Sequence, residues 1–336
     1  MSTNDSKENN ENNSMCKLDN IKSKLILRRI FDILCREDLL RIVKYNKKIQ
    51  NKLNLKIKDF EEGLKYYSLI EFELKIKKDE FGKFINVLNE KDKHFYHIYF
   101  NDDRIETKRR YVKKNEKIDK IKIVLGYGVL TFEKLFQECR CIESIHFKKF
   151  HRINISNMEY MFSRCSSLKE INFEKFITEN VANMDSMFSG CSSLEKLNLS
   201  NFNTNNVTSM IFMFSGCSSL NELNLSNFNT SNVTNMIFMF SDCSSLKELD
   251  VSNFNINKVN DMSLMFSGCF SLETLELFNC NNYNKANMKY LFNGCSYALK
   301  NEIKSKNNFI KREAYMDDGL VFKKQLINEY NLKVIA

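Results

Sequence analysis

A chain of 336 residues exceeds one ordinary compact core and fits either two domains or one domain joined to an array of repeats. An apolar fraction of 43%, with 28 Phe and 14 Met, is ample for burying a core, and no run of eighteen uncharged apolar residues exists to span a bilayer. The net charge of +9 gathers in roughly the first 120 residues, so a basic entry segment precedes a nearly neutral remainder.

Residues 1–18 read as a disordered lead-in, because Met1 to Asn13 are polar and lack the apolar core of a secretory signal. Residues 19–66 read as helical. Apolar side chains fall at helical spacing as Leu25, Ile26, Ile30, Phe31 and Leu34, then Leu39, Leu40, Ile42 and Val43, then Ile49 and Leu53. The run LILRRIFDILCREDLLRIVKYNKKIQNKL, within residues 23–53, is similar to an F-box, with an Ile-Phe pair, a short break and Asp-Leu-Leu, though without the Leu-Pro opening. That resemblance implies docking to ubiquitin-ligase subunits; the other reading is a helical cap for the repeats further along the chain.

Residues 67–130 read as a mixed α/β entry, with alternation that predicts strands over 70–76, 95–100 and 118–125, the last resembling a degenerate first repeat. The cluster Lys108, Arg109, Arg110, Lys113 and Lys114 has no stacking motif beside it and reads as a solvated surface; no nucleic acid is expected.

From residue 131 to 296 the chain repeats. Leu135-Phe136, Met161-Phe162, Met187-Phe188, Met213-Phe214, Met239-Phe240, Met265-Phe266 and Leu291-Phe292 recur at a constant interval of 26 positions. Within one copy, Cys217, Leu220, Leu223, Leu225 and Phe228 give C-x-x-L-x-x-L-x-L-x-x-F, whose L-x-L step has strand period and predicts a parallel ladder at about 4.8 Å spacing. Met210, Met213, Phe214 and Cys217 stand at i, i+3, i+4 and i+7, which predicts a short helix left through Gly216. Phe150, Phe176, Phe202, Phe228 and Phe254 hold one position and are expected to stack as a spine. Asn201, Asn227, Asn253 and Asn279 precede them, where an amide can satisfy turn backbone in adjacent copies. Six of the eleven Cys, from Cys165 to Cys295, share one position, the pattern of a buried ladder and not of a disulfide framework.

The runs FSGCSSLNELNLSNFNTSNVTNMIFMF and CSSLEKLNLSNFNTNNVTSM resemble BspA-type leucine-rich repeats of bacterial and protist proteins. The resemblance covers about 135–295 and implies an arc-shaped solenoid, of α/β class, with a role in protein binding or adhesion. In the last copy Cys280 replaces the spine Phe and Lys285 stands where Val207 and Val233 do, as suits a terminal repeat. Residues 297–336 lose the pattern and read as a C-terminal cap.

Chemistry is sparse. The four His and the Ser and Cys residues form no nucleophile motif, Gly126 and Gly128 open no phosphate loop, and no cofactor is implied. Cys139, Cys141, His146 and His151 have the residue types for zinc, yet Cys139 belongs to the ladder; no metal is expected. Period two places His146, Lys148, Glu170, Asn172, Glu174, Lys196, Asn198, Glu222, Asn224, Glu248, Asp250, Thr274, Glu276 and Phe278 on the concave strand face, a polar and mildly acidic surface suited to a basic or polar protein segment. A second row, Tyr160, Phe212, Phe238, Leu264 and Tyr290, lies on the opposite side and serves either as packing between copies or as an interaction stripe. The reading is a non-enzymatic, cytoplasmic scaffold binding a protein partner. Its alternatives are an F-box-like ligase adaptor and a BspA-like surface adhesin, to which the sequons at Asn154, Asn206 and Asn232 would belong.

Overall fold

The computed structural model describes residues 46–53, 69–101, 103–126, 128–150, 154–278, 286–307 and 309–329. The chain divides into two compact units, residues 1–68 and 69–336. Of the first, helix α1 (Lys47–Leu53) is described. It starts where Asn46 Oδ1 accepts the Ile49 N–H at 3.1 Å, and it buries Ile49. The rest of the F-box-like run and the lead-in lie outside the described residues.

The second unit is mixed α/β with strands predominating. Its entry region carries β1 (Ile70–Ile76), β2 (Gly82–Lys83), β3 (Tyr96–Phe100), β4 (Glu106–Thr107), β5 (Tyr111–Val112) and β6 (Lys120–Leu125). Alternate residues Ile70, Phe72, Leu74 and Ile76 of β1 are buried, as are Ile121, Ile123 and Leu125 of β6. With β7 (Ile142–Lys149) and β8 (Glu170–Asn172) these strands form a sheet ordered β4-β3-β6-β1-β7-β8. Pairing is antiparallel from β4 to β7 and parallel from β7 to β8. The segment 118–125 is therefore no degenerate first repeat. β6 runs antiparallel to β1 and β3, and it is β1, antiparallel on β7, that closes the first edge of the repeats.

Beyond β8 come β9 (Lys196–Leu197), β10 (Glu222–Leu223), β11 (Glu248–Asp250) and β12 (Thr274–Glu276). They pair in parallel between equivalent positions of neighbouring repeats, Leu197 with Leu223 and Leu249 with Leu275. A second line of parallel bridges links Asn157, Asn183, Ser209, Asn235, Asp261 and Asn287 in succession, each holding the same place in its own repeat.

The short helix expected over 207–217 is absent; a run of consecutive turns takes its place. The N–H groups of Met210, Phe212, Phe214 and Gly216 donate forward to the carbonyls of Asn235, Ile237, Met239 and Ser241 at 2.7–3.1 Å. Those of Met213, Ser215 and Cys217 donate back to Met210, Phe212 and Phe214 at 3.1–3.3 Å. From Phe212 to Cys217 alternate residues thus bond between repeats and within them, while the Ile211 N–H donates to Asp185 Oδ1 at 2.8 Å. The geometry needs left-handed backbone at Phe212 (φ +56°) and Gly216 (φ +74°), and φ near these values recurs at Tyr160, Ser186, Phe238, Leu264 and Tyr290. A non-glycine residue there costs about 1–2 kcal/mol, which the bonds and packing on either side offset.

Inside the turns, Phe136, Phe162, Phe188, Phe214, Phe240, Phe266 and Phe292 form one column, with centroids 5.5–5.8 Å apart and planes within 8°. At a repeat spacing of about 4.8 Å this is offset stacking. The expected spine of Phe150, Phe176, Phe202, Phe228 and Phe254 is buried, but its first pairs are tilted by 43° and then stacked at 18°. The regular stack belongs to the Met-Phe position.

The far end is closed differently. After α2 (Tyr297–Lys306), the chain brings Glu313 and Ala314 carbonyls to the N–H groups of Tyr290 and Phe292, and Asp317 Oδ1 to that of Gly294, each at 2.9 Å. These are the forward donors of the last repeat, supplied with substitutes for a further repeat. Tyr315 sits 5.3 Å from Phe292 and ends the ring column. Helix α3 (Leu320–Glu329) then folds back, and its Leu326 joins a cluster with Phe212, Ile237, Phe238 and Leu264.

Candidate functional site: the strand face of the repeats

Strands of two or three residues leave little ladder to hold, and side chains end them. Asn172, Asn198, Asn224 and Asp250 each accept through Oδ1 the N–H two residues on, from Glu174, Ser200, Ser226 and Ser252, at 2.8–3.0 Å. These four expected contact residues therefore also serve as strand-ending turns. The core leucines alternate with them: Leu197, Leu223 and Leu249 form the floor of a trough of about 890 Å³, with Lys196, Glu222, Glu248, Asp250, Thr274 and Glu276 standing around it.

Charge is distributed unevenly along this face. Near the entry region it is neutralised in place: Lys148 pairs with Glu73 at 3.3 Å, and Lys75 and Lys169 hold Glu143 at 2.8 and 3.1 Å. Glu174 pairs with Lys175 at 3.2 Å, and Lys196 with Glu222 at 3.0 Å. Glu248, Asp250 and Glu276 form no ion pair among the described residues. Hydrogen bonds from Ser252 hold the Asp250 carboxyl below its usual value, and Lys75 and Lys169 do the same for Glu143. Asp250 thus stays ionised with no cation beside it among the described residues, whereas Glu143 is already paired.

One expected site is corrected, and the row with two readings takes the packing one. Phe278 is not on this face: it is 1% exposed and packed in the core, because β12 stops at Glu276 and strand alternation stops with it. The opposite row is not an open stripe either. Phe212, Phe238 and Leu264 are buried, with the half-buried Tyr160 and Tyr290 packed against their cluster, and α3 lies on it. Lys323 fixes the helix there, its Nζ reaching the two Asp242 carboxylate oxygens at 3.0 and 2.7 Å. Sequence reasoning missed α3 as a cover, since nothing local marks a helix as folding back over residues two and three repeats earlier.

The remaining candidates are occupied structurally. Each ladder thiol from Cys165 to Cys295 donates to the carbonyl of the Phe 29 residues before it, at 2.9–3.2 Å. Burial pushes the Cys165, Cys217 and Cys295 thiols up to about 12. Cys141 is buried and its thiol faces the Lys83 carbonyl at 3.3 Å, while His151 lies outside the described residues. Among the described residues no group of three or more His, Cys, Asp and Glu could hold a metal. Arg109 is clamped by both oxygens of Glu116 at 2.8 Å, which brings that carboxyl down to about 2.

The Asn ladder behaves as expected: Asn227 donates to Leu199, Ser200 and Phe202 carbonyls, and Asn253 to those of Leu225, Ser226 and Phe228. Asn279 lies outside the described residues. The sequon residues Asn206 and Asn232 spend their amides likewise, on the Glu179 and Asn205 carbonyls at 2.8 Å. A threonine ladder went unremarked. Thr178, Thr204 and Thr230 are buried and bond both the N–H and the carbonyl of Asn203, Asn229 and Asn255; a Thr two residues after the spine Phe was the available signal.

No helix among the described residues is long and apolar enough to cross a membrane. A family model described as "Mycoplasma protein of unknown function, DUF285" matches residues 130–223 and 195–306, together more than half of the chain. No curated protein and no solved structure gives a match.

Proposed function

The chain belongs to the DUF285 family, whose model runs along the repeats, and on that premise we propose that residues 131–296 wind as a BspA-type leucine-rich-repeat solenoid whose strand face binds a protein partner. The observation that carries the reading is the set of carboxylates at the far end of the trough, Glu248, Asp250 and Glu276, exposed and without ion pairs among the described residues. A basic or polar segment laid across the short strands would meet Glu248 and Asp250 on β11 and, one repeat on, Glu276 opposite Asp250, with Lys196–Glu222 as an exchangeable pair beside it. Complementary charge of this kind speeds encounter and sets register more than it adds affinity.

The protein acts without catalysis in this reading, since the strand face is an open row of exposed side chains and short strands with no enclosed acid–base pair. A cytoplasmic location is part of it, supported by eight free and buried cysteines among the described residues. The test is affinity purification with mass spectrometry on three forms: the full chain, the chain lacking residues 1–60, and the full chain carrying Glu170→Lys, Glu222→Lys, Glu248→Lys and Asp250→Lys. A partner lost only with the charge reversals is the expected result. Ligase subunits lost with residues 1–60 would move the function to the F-box-like run; recovery of the same proteins from all three would sink the strand-face reading.

A further inference from the structure

Eleven large apolar side chains are exposed among the described residues, and six of them fall in the entry region. Three of the six, Phe81, Leu88 and Tyr111, are 52, 54 and 49% exposed. The antiparallel pairing of β2 with β5 sets Lys83 opposite Tyr111, with Phe81 directly before β2. Leu88 and Tyr111 share the lining of a groove of about 520 Å³.

This groove is built in place. The Phe84 N–H donates to the Arg110 carbonyl at 3.1 Å and the Asn86 N–H to that of Leu135 at 2.8 Å. The Asn86 amide reaches the Lys134 and Gln137 carbonyls at 2.6 and 3.0 Å. The segment Phe84–Asn86 is thus pinned on one side to Arg110, just before β5, and on the other to the first repeat. Nothing in these bonds needs Leu88 or Tyr111 to face solvent.

Its charge is the reverse of that on the strand face. The nine lining residues include Lys83, Arg110 and Lys134 and no carboxylate, whereas the trough sets four carboxylates against two lysines. Lys134 is paired with Glu133 at 2.7 Å. Arg110 has a long contact of 3.5 Å to the exposed Glu90, and Lys83 forms no ion pair among the described residues. Exposed pairs of that length hold a cation weakly.

We propose that this groove is a second docking surface, and that its occupant is an acidic peptide segment bearing an aromatic or leucine side chain. The apolar anchor packs between Leu88 and Tyr111, and carboxylates beside it meet Lys83 and Arg110, exchanging solvent for a complementary rim. The surface is separate from the trough in position and sign, so it stands independently of the function proposed above.

The experiment is panning of a phage-displayed random dodecapeptide library on the full chain, followed by fluorescence anisotropy with the enriched peptides. Enriched sequences are expected to combine Asp or Glu with Phe, Tyr, Trp or Leu. Lys83→Glu with Arg110→Glu is expected to weaken their binding about tenfold or more. Leu88→Ser, which changes an exposed side chain and no charge, is expected to weaken it about fivefold. Glu248→Lys with Asp250→Lys is expected to leave it within about twofold. No enrichment, basic consensus sequences, or equal binding by every variant would overturn the proposal. So would competition by a single-stranded oligonucleotide as effective as unlabelled peptide, which would make the groove a general anion patch.

Discussion

The two sides of each repeat are cut from the same short stretch of chain and carry different obligations. On the turn side almost every group is committed: alternate amides go forward and back, the thiols reach the previous repeat, the Met-Phe rings stack, and α3 covers what remains. On the strand side two or three residues per repeat hold the ladder, and most of the side chains between them stand in solvent. The lesson is a division of labour. Regularity is enforced where side chains are buried, which leaves the strand-face side chains other than the strand-ending Asn172, Asn198, Asn224 and Asp250 free to vary at little cost to the fold.

That contrast can be broken most severely by alkali. Burial raises the ladder thiols, so in the folded state they stay protonated up to about 12 for Cys165, Cys217 and Cys295, while unfolded thiols ionise near their usual value. The stability they contribute is complete below the unfolded value and is lost as pH rises from there towards the folded one. Each fully buried thiol withdraws up to about 1.4 kcal/mol per pH unit over that window. Alkaline unfolding followed by circular dichroism should therefore be steep, and its midpoint should not move when Glu248 and Asp250 become Lys. The eight buried thiols of the described residues should likewise be silent to a disulfide reagent at pH 8 and react on unfolding.

Next in size is the ring column. Phe240→Ala empties a fully buried site between two stacked rings, and urea unfolding should lose about 3–5 kcal/mol. Glu248→Lys should stay within about 0.5 kcal/mol. Equal losses would abolish the distinction between the sides. Ending the chain after Gly319 removes α3 and uncovers Phe212, Ile237, Phe238 and Leu264; about 2–4 kcal/mol should go, with new binding of an apolar dye.

The smallest effect sharpens the picture. Asp185 lies among the turns, and burial raises its carboxyl although Ser209 Oγ and the Ile211 N–H donate to it at 2.6 and 2.8 Å. A raised folded value means the fold loses stability as pH climbs from the ordinary Asp value to the folded one and the carboxyl ionises. Asp185→Asn keeps the accepting oxygen and removes the charge, so Tm should rise slightly at pH 7, and the gain should vanish below the ordinary Asp value near pH 4.

Much of this was legible in the sequence, and the failures have a common cause. The period, the strand positions of Leu197, Leu223 and Leu249, the Asn ladder and the buried Cys follow from recurrence alone, because a position that returns in every repeat must meet its own copy. The turns over 207–217 were misread because apolar residues at i, i+3, i+4 and i+7 suit a helix and a run of turns equally. What separates them is where the Phe212 and Phe214 amides donate, and that is decided by the next repeat, not by the segment itself. Phe278 was misplaced because alternation was extended past the end of β12. On the face proposed to bind, sequence named the exposed carboxylates but not that Asn172, Asn198, Asn224 and Asp250 double as strand stops, which depends on side-chain rotation.

The forward bonds have one sense throughout: each repeat gives its alternate amides to the carbonyls of the next, and the last gives them to Glu313, Ala314 and Asp317. An interior repeat thus receives from one neighbour and gives to the other in the same pattern as every other. Excising one whole period from the middle rejoins a donor row to an equivalent acceptor row, whereas excising half a period would set turn against strand. Copy number in such a gene is therefore free to drift by unequal recombination in whole units, lengthening or shortening the strand face in discrete steps while both ends stay as they are.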